Sequence, residues 1–143
     1  MEFCGSRTLS MFLQQSTSKT LGGNELKLIF RQIIIGVQFL HTNSIYHRDL
    51  KLENILLTTT NQIKIVDLGL ATTSDDHTTS MSGTPAYFTP EHFRHQPYTP
   101  SKTDVWCLGV ILFYMAFGKH PFGGNVIINR LQGCRIRSAS HRI

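Results

Sequence analysis

A run that is apolar on nearly every side, Val105 to Gly118, constrains this chain more than any other feature. It falls in the range of about 10 to 14 residues that marks a helix buried in a core, below the roughly 20 needed to cross a bilayer. Its flanks carry start and stop chemistry. Thr99 can cap, Pro100 suits the first helical position, and Gly118 can end a helix running through Lys102 to Phe117. A helix apolar all round is expected to be covered on every side, which makes Asp104 a buried or half-buried carboxylate in need of partners. Other elements must therefore wrap around this one.

Those elements are legible upstream. Thr8 is placed to cap a short helix over Leu9 to Gln15, which stops before the polar stretch Ser16 to Gly23. A second helix is predicted from Asn24 as N-cap, with Glu25 in its first turn and Leu26, Ile29, Phe30, Ile33, Val37 and Leu40 at helical spacing through to His41. Two β-rich runs follow, Ile55 to Leu57 and Ile63 to Val66, joined by Thr58 to Gln62, and they read as an antiparallel pair. From Ala71 to Pro90 the sequence turns to Thr, Ser, Asp and Pro, which predicts a long irregular loop of the kind that carries function. The fold class is mainly α with a short antiparallel β pair.

With 143 residues, 41% of them hydrophobic, the chain has material for one domain and one core. The net charge of +5 suits an acidic partner, and the arginines thicken at Arg130, Arg135, Arg137 and Arg142. No aromatic residue interleaves with them, so a solvated basic end is expected and nucleic acid is not. Cys4, Cys107 and Cys134 lack paired spacing and read as reduced thiols, in keeping with a cytoplasmic location, the nucleus being the alternative. Met1-Glu2 does not open like a secretory signal, and no membrane association is expected. His77, His92, His95, His120 and His141 show no metal-ligand spacing and read as surface residues.

Chemistry concentrates between the second helix and the first strand, in His47-Arg48-Asp49-Leu50-Lys51-Leu52-Glu53-Asn54. A loop holding Asp, Lys and Asn at these offsets offers an acceptor for a hydroxyl proton, a cation for a phosphate, and an oxygen ligand for a hard metal ion. Asp67 follows the second strand in Val66-Asp67-Leu68-Gly69, where Gly69 frees the backbone to turn and the carboxylate can face Asn54. One carboxylate and one amide oxygen are a plausible protein share of a Mg²⁺ shell.

Together these residues closely resemble the eukaryotic protein kinases of the serine/threonine type. His47 to Asn54 looks like the catalytic loop (47–54), and Asp67-Leu68-Gly69 like the metal-binding triplet that opens an activation segment (67–91). Gly83-Thr84-Pro85-Ala86-Tyr87 with Thr89-Pro90-Glu91 resembles the end of that segment, and Asp104-Val105-Trp106-Cys107-Leu108-Gly109 the start of the central buried helix, about 102–117. Met1 to Gly5 looks like the hinge between lobes. The resemblance implies a partial kinase domain over 1–143, a kinase-like large lobe with the small N-terminal lobe missing.

The resemblance also implies roles. Asp49 would accept or orient the proton of a Ser or Thr hydroxyl on a protein substrate, Lys51 would steady the transferred phosphoryl group of ATP, and Thr84 would touch both and help select the acceptor. Asn54 and Asp67 would hold Mg²⁺. The Glu53 carbonyl would lie near the ribose, Leu56 under the adenine, and the backbone of Glu2 and Cys4 at the adenine edge. His47 is similar to the family's structural core histidine. Arg48 could pair with a phosphate placed by an activating kinase at Ser80, with Thr78 and Thr79 as neighbouring acceptors.

Two departures are mild: Leu68 stands where Phe is common and keeps an apolar plug, and Thr89 stands where Ala is common. The graver ones are absences. No glycine-rich loop, phosphate-binding lysine or partner glutamate lies upstream, and Glu91 lacks the arginine expected from later helices. A segment from Asn125 to Gln132 looks like the next helix. The expectation is a kinase fragment with uncovered apolar surface and little catalysis alone. A non-catalytic, kinase-like binding or regulatory fragment is the alternative.

Overall fold

The computed structural model describes residues 7–16 and 20–122. The hinge-like stretch with Glu2 and Cys4, the 125–132 segment, Cys134, His141 and the arginine-rich end lie outside the described residues.

Strand β1 (Arg7–Thr8) leads directly into helix α1 (Leu9–Gln15), whose N-cap is Thr8, its hydroxyl accepting from the Met11 amide at 3.1 Å. This first helix begins and ends as its sequence predicts. Helix α2 spans Gly23–Thr42, two residues further upstream than its side-chain chemistry suggests. Gly22 is the N-cap, and its carbonyl accepts from Leu26 at 2.8 Å, so Asn24 sits inside the first turn. Gly is a worse N-cap than Asn by only a few tenths of a kcal/mol, so an added helical backbone bond decides where the helix starts.

After α2 a single 3-10 turn, Leu52–Asn54, leads to β2 (Ile55–Leu57) and β3 (Ile63–Ile65). The expected antiparallel pair forms, with Ile55 opposite Ile65 and Leu57 opposite Ile63. It gains a third strand, because β1 pairs with β2 through Arg7–Leu57 and Thr8–Leu56, giving the order β1-β2-β3. Gln32 on α2 fastens the sheet's turn, accepting from the Ile63 amide at 3.0 Å and donating to the Asn61 carbonyl at 3.2 Å.

The 71–90 region is irregular apart from a 3-10 turn, Pro85–Tyr87, and it runs into a one-turn helix α3 (Pro90–Phe93) capped by Thr89. Helix α4 spans Pro100–Phe117 and stops at Gly118, which takes the left-handed conformation (φ +66°) that glycine tolerates at no steric cost. Ile33 and Val37 of α2, Leu9 and Leu13 of α1, Leu50, Leu52 and Ile55 from the loop and sheet, and Val110, Ile111 and Met115 of α4 form one core. None of the helices among the described residues is long and apolar enough to cross a membrane.

Burial of α4 is not all round. Val105 is 60% exposed and Phe117 43%, and α2 leaves Leu28, Ile35 and Phe39 in solvent. A uniformly apolar helix signals how much surface wants covering, and Val105 and Phe117 are the uncovered surface that the sequence anticipates on α4, whereas the exposed α2 face is not anticipated.

Candidate active site

The site is built from α4 outward. Asp104 lies in its first turns with no solvent exposure and accepts three hydrogen bonds: from the amides of His47 and Arg48, each at 2.9 Å, and from the ring of His41 at 2.8 Å. The partners demanded by a buried carboxylate are thus mostly backbone. Arg48 is held at φ +68°, a left-handed conformation costing roughly 1–2 kcal/mol for a non-glycine residue. The Asp104 bond to its amide keeps it there. His47 is fully buried, donating through Nε2 to the Val66 carbonyl at 3.0 Å, while Nδ1 accepts from the Asp49 amide at 3.3 Å.

This frame presents Asp49. Its side chain takes a hydrogen bond from Lys51 Nζ at 2.7 Å and another from the Thr84 hydroxyl at 2.7 Å, and Lys51 also donates to Thr84 Oγ1 at 2.9 Å. Asn54, itself buried, donates through Nδ2 to the Asp49 carbonyl at 2.9 Å and to its carboxylate at 3.3 Å. Four of the residues singled out from sequence, Asp49, Lys51, Asn54 and Thr84, therefore meet within hydrogen-bond range of one carboxylate. Thr84 arrives there from 35 residues away. Gly83 makes its approach possible, with φ +104° and a position where a Cβ would lie 2.7 Å from the Arg48 carbonyl oxygen.

Asp67 stands one residue beyond Val66, whose amide donates to the Asn54 carbonyl at 3.0 Å. Its carboxylate is exposed, at φ +64°, and takes the Gly69 amide at 3.3 Å. Leu68, expected as an apolar plug, is instead 47% exposed, because no described residue covers it. Glu53 is exposed in the 3-10 turn, and Leu56 is half-buried on the middle strand. Beneath the loop, the Tyr87 hydroxyl accepts from the Leu52 amide at 3.3 Å, and burial pushes its ionisation above the ordinary tyrosine range.

Arg48 donates through Nη2 to Ser82 Oγ at 2.5 Å, and its Nε is buried without a hydrogen-bond partner among the described residues. A cavity of about 210 Å³ beside it is lined by Ser74, Asp76, His77 and Thr78. Ser80 is exposed, its carbonyl accepting from the Tyr98 hydroxyl at 2.5 Å. Glu91 is half-buried, forms no ion pair among the described residues, and lines a second cavity of about 340 Å³ with Lys102 and Trp106.

Sequence reasoning missed the places of two histidines. His41 pairs with Asp104 across 63 residues, which no local signal reveals. His92, expected at the surface, is 1% exposed and stacked between Phe88 (ring centroids 4.7 Å apart) and Tyr98 (3.9 Å), with Nδ1 2.9 Å from the Thr89 hydroxyl. Thr89-Pro90 marks only the helix start, and the Tyr98 ring that covers His92 comes from outside that turn.

Comparison with known proteins agrees with this geometry. The family model described as protein kinase domain matches residues 1–140. The chain is 40% identical over 125 residues to mouse serine/threonine-protein kinase Nek4, a match covering 85% of this chain and 16% of that protein. It is 42% identical over 103 residues to rice CBL-interacting protein kinase 29, covering 70% and 23% respectively. Against the Dictyostelium discoideum serine/threonine-protein kinase stk11 homolog it is 35% identical over 144 residues, covering 94% and 25%. The chain thus spans from about a sixth to a quarter of the length of these relatives. By the family match, and by relatives that are themselves serine/threonine kinases, the chain belongs to the protein kinase domain family.

Proposed function

We propose that this chain carries the phosphoryl-transfer loop of a protein serine/threonine kinase, which moves the γ-phosphoryl group of ATP to a Ser or Thr hydroxyl on a protein. The observation that supports this most is the convergence of Lys51, Thr84 and Asn54 on the Asp49 carboxylate. Asp49 takes the hydroxyl proton as the acceptor oxygen bonds to phosphorus, while the bond from that phosphorus to the bridging oxygen breaks and ADP leaves with its electron pair. Lys51, already within reach of that carboxylate, places its charge against the moving phosphoryl oxygens. Thr84 borders the space an acceptor side chain must enter.

The donor set suits a hard divalent cation. Asn54 commits its amide nitrogen to Asp49, which leaves Oδ1 as the acceptor, and the Asp67 carboxylate is exposed. These two residues would hold Mg²⁺, which when bound neutralises charge on the phosphate oxygens. The Glu53 carbonyl and Leu56 would border the nucleoside, with Glu2 and Cys4 at the adenine edge. Phosphorylation of Ser80 by an activating kinase would bring a dianion toward Arg48.

The test uses the longest chain that the source transcript encodes around these residues. Incubated with ATP, Mg²⁺ and a Ser/Thr peptide library, it is expected to yield phosphoserine or phosphothreonine by mass spectrometry. Asp49→Asn should lower the yield by about 100-fold or more, the contribution of a positioned base. No product from the unaltered chain, or undiminished product from the variant, would overturn the assignment.

A further inference from the structure

Helix α4 starts without a cap of its own, for the Thr99 side chain makes no capping hydrogen bond. The cap comes from 26 residues upstream: Asp75 Oδ1 accepts from the Ser101 amide at 2.7 Å, and Asp75 Oδ2 accepts from the Ser101 hydroxyl at 2.6 Å. A carboxylate at this end of a helix also complements its dipole. One turn along, Asp104 holds His47 and Arg48. The first turns of α4 therefore fasten both halves of the site, the loop through Asp104 and the 67–91 segment through Asp75.

Downstream of Asp75 the segment is tied again. Thr78 and Tyr98 exchange backbone bonds at 3.0 Å, the Tyr98 hydroxyl reaches the Ser80 carbonyl, and Ser82 meets Arg48. The course ends at Thr84 on Asp49. Upstream, Thr72 and Tyr46 exchange backbone bonds at 2.9 Å, and Asp75 is the next tie, made by its carboxylate and the Ser101 amide and hydroxyl at the helix end.

We propose that Asp75 is a positioning residue for phosphoryl transfer, anchoring the segment to the start of α4 so that Thr84 and the acceptor peptide stay in register with Asp49. The inference rests on the kinase reading above. It assigns Asp75 an effect on the protein acceptor and none on ATP, because its side-chain bonds run from the segment to Ser101 at the start of α4 and touch neither Asn54 nor Asp67.

The experiment compares the full natural chain with Asp75→Ala, Asp75→Asn and Ser101→Asp. Asp75→Ala is expected to raise the peptide KM about fivefold, the worth of roughly one hydrogen bond, with the ATP KM unchanged. Asp75→Asn keeps an acceptor for the Ser101 amide and should recover most of that loss. Ser101→Asp sets a carboxylate against Asp75 and should mimic the alanine variant, and combining it with Asp75→Ala should add little further loss. Equal rises in both KM values, or an unchanged peptide KM in Asp75→Ala, would overturn the proposal. Should the unaltered chain transfer no phosphate, the kinase reading fails while the clamp stays testable by hydrogen exchange. The amides of residues 76–84 must then exchange faster in Asp75→Ala than in the unaltered chain, and equal rates refute the clamp.

Discussion

Replacing Asp104 by alanine exposes how the loop is held. The carboxylate has no solvent exposure and accepts from two backbone amides and one histidine. An alanine methyl leaves the buried His47 amide and the part-buried Arg48 amide unmet, at about 1–3 kcal/mol each, so the expected loss is about 2–6 kcal/mol. Against a typical net stability of roughly 5–15 kcal/mol this is a large share. His41→Ala is the internal comparison: it removes one partly exposed side-chain contact and spares both amide bonds, costing about 1 kcal/mol or less. Urea unfolding of the purified chain, followed by circular dichroism, separates the two. With a slope of about 1–3 kcal/mol per molar urea, Asp104→Ala should lower the midpoint by about 1 M or more, and His41→Ala by a few tenths. Equal shifts would refute the reasoning, since they would mean that the backbone amides do not depend on Asp104.

Other perturbations probe the surroundings. Gly83→Ala forces a Cβ to 2.7 Å from the Arg48 carbonyl at φ +104°, and a loss of about 1–3 kcal/mol is expected; an unchanged melting temperature would contradict the close approach. Tyr87 is neutral and buried, and its folded-state ionisation lies above the unfolded value of 10.0, so its contribution is fully present below about pH 10 and is lost as pH rises beyond it. Tyr87→Phe should flatten the alkaline decline in stability relative to the unaltered chain; identical profiles above pH 10 would argue against its burial. Asn54→Ala and Asp67→Ala should each raise the Mg²⁺ concentration needed for half-maximal transfer, and an unshifted Mg²⁺ dependence would remove them from the metal's shell.

The sequence exposes whatever is set within a few residues. Thr8 capping α1, Gly118 ending α4 and the β2–β3 pair each rest on local chemistry, and each is found where that chemistry puts it. The Asp49–Asn54 group was legible because five consecutive offsets hold it, and Thr84 because its own motif does. What local reading missed is long-range. Strand β1 has two residues, too few to show a period, and exists because β2 offers it an edge. The burial of His92 depends on Tyr98 folding back over it, and the true cap of α4 comes from Asp75 and not from Thr99. The exposure of Val105 shows the same limit from the other side, since hydropathy reports what a helix would bury and not what lies against it.

The most direct measurement of the central claim is transfer of labelled γ-phosphate from ATP, by the longest chain encoded around these residues, to three matched peptides whose single acceptor is Ser, Thr or Tyr. The arrangement of Lys51 and Thr84 on Asp49 predicts label on the Ser and Thr peptides, little on Tyr, and about 100-fold less, or lower still, in Asp49→Asn. Label on the Tyr peptide equal to the others, or transfer by Asp49→Asn at the rate of the unaltered chain, would contradict it.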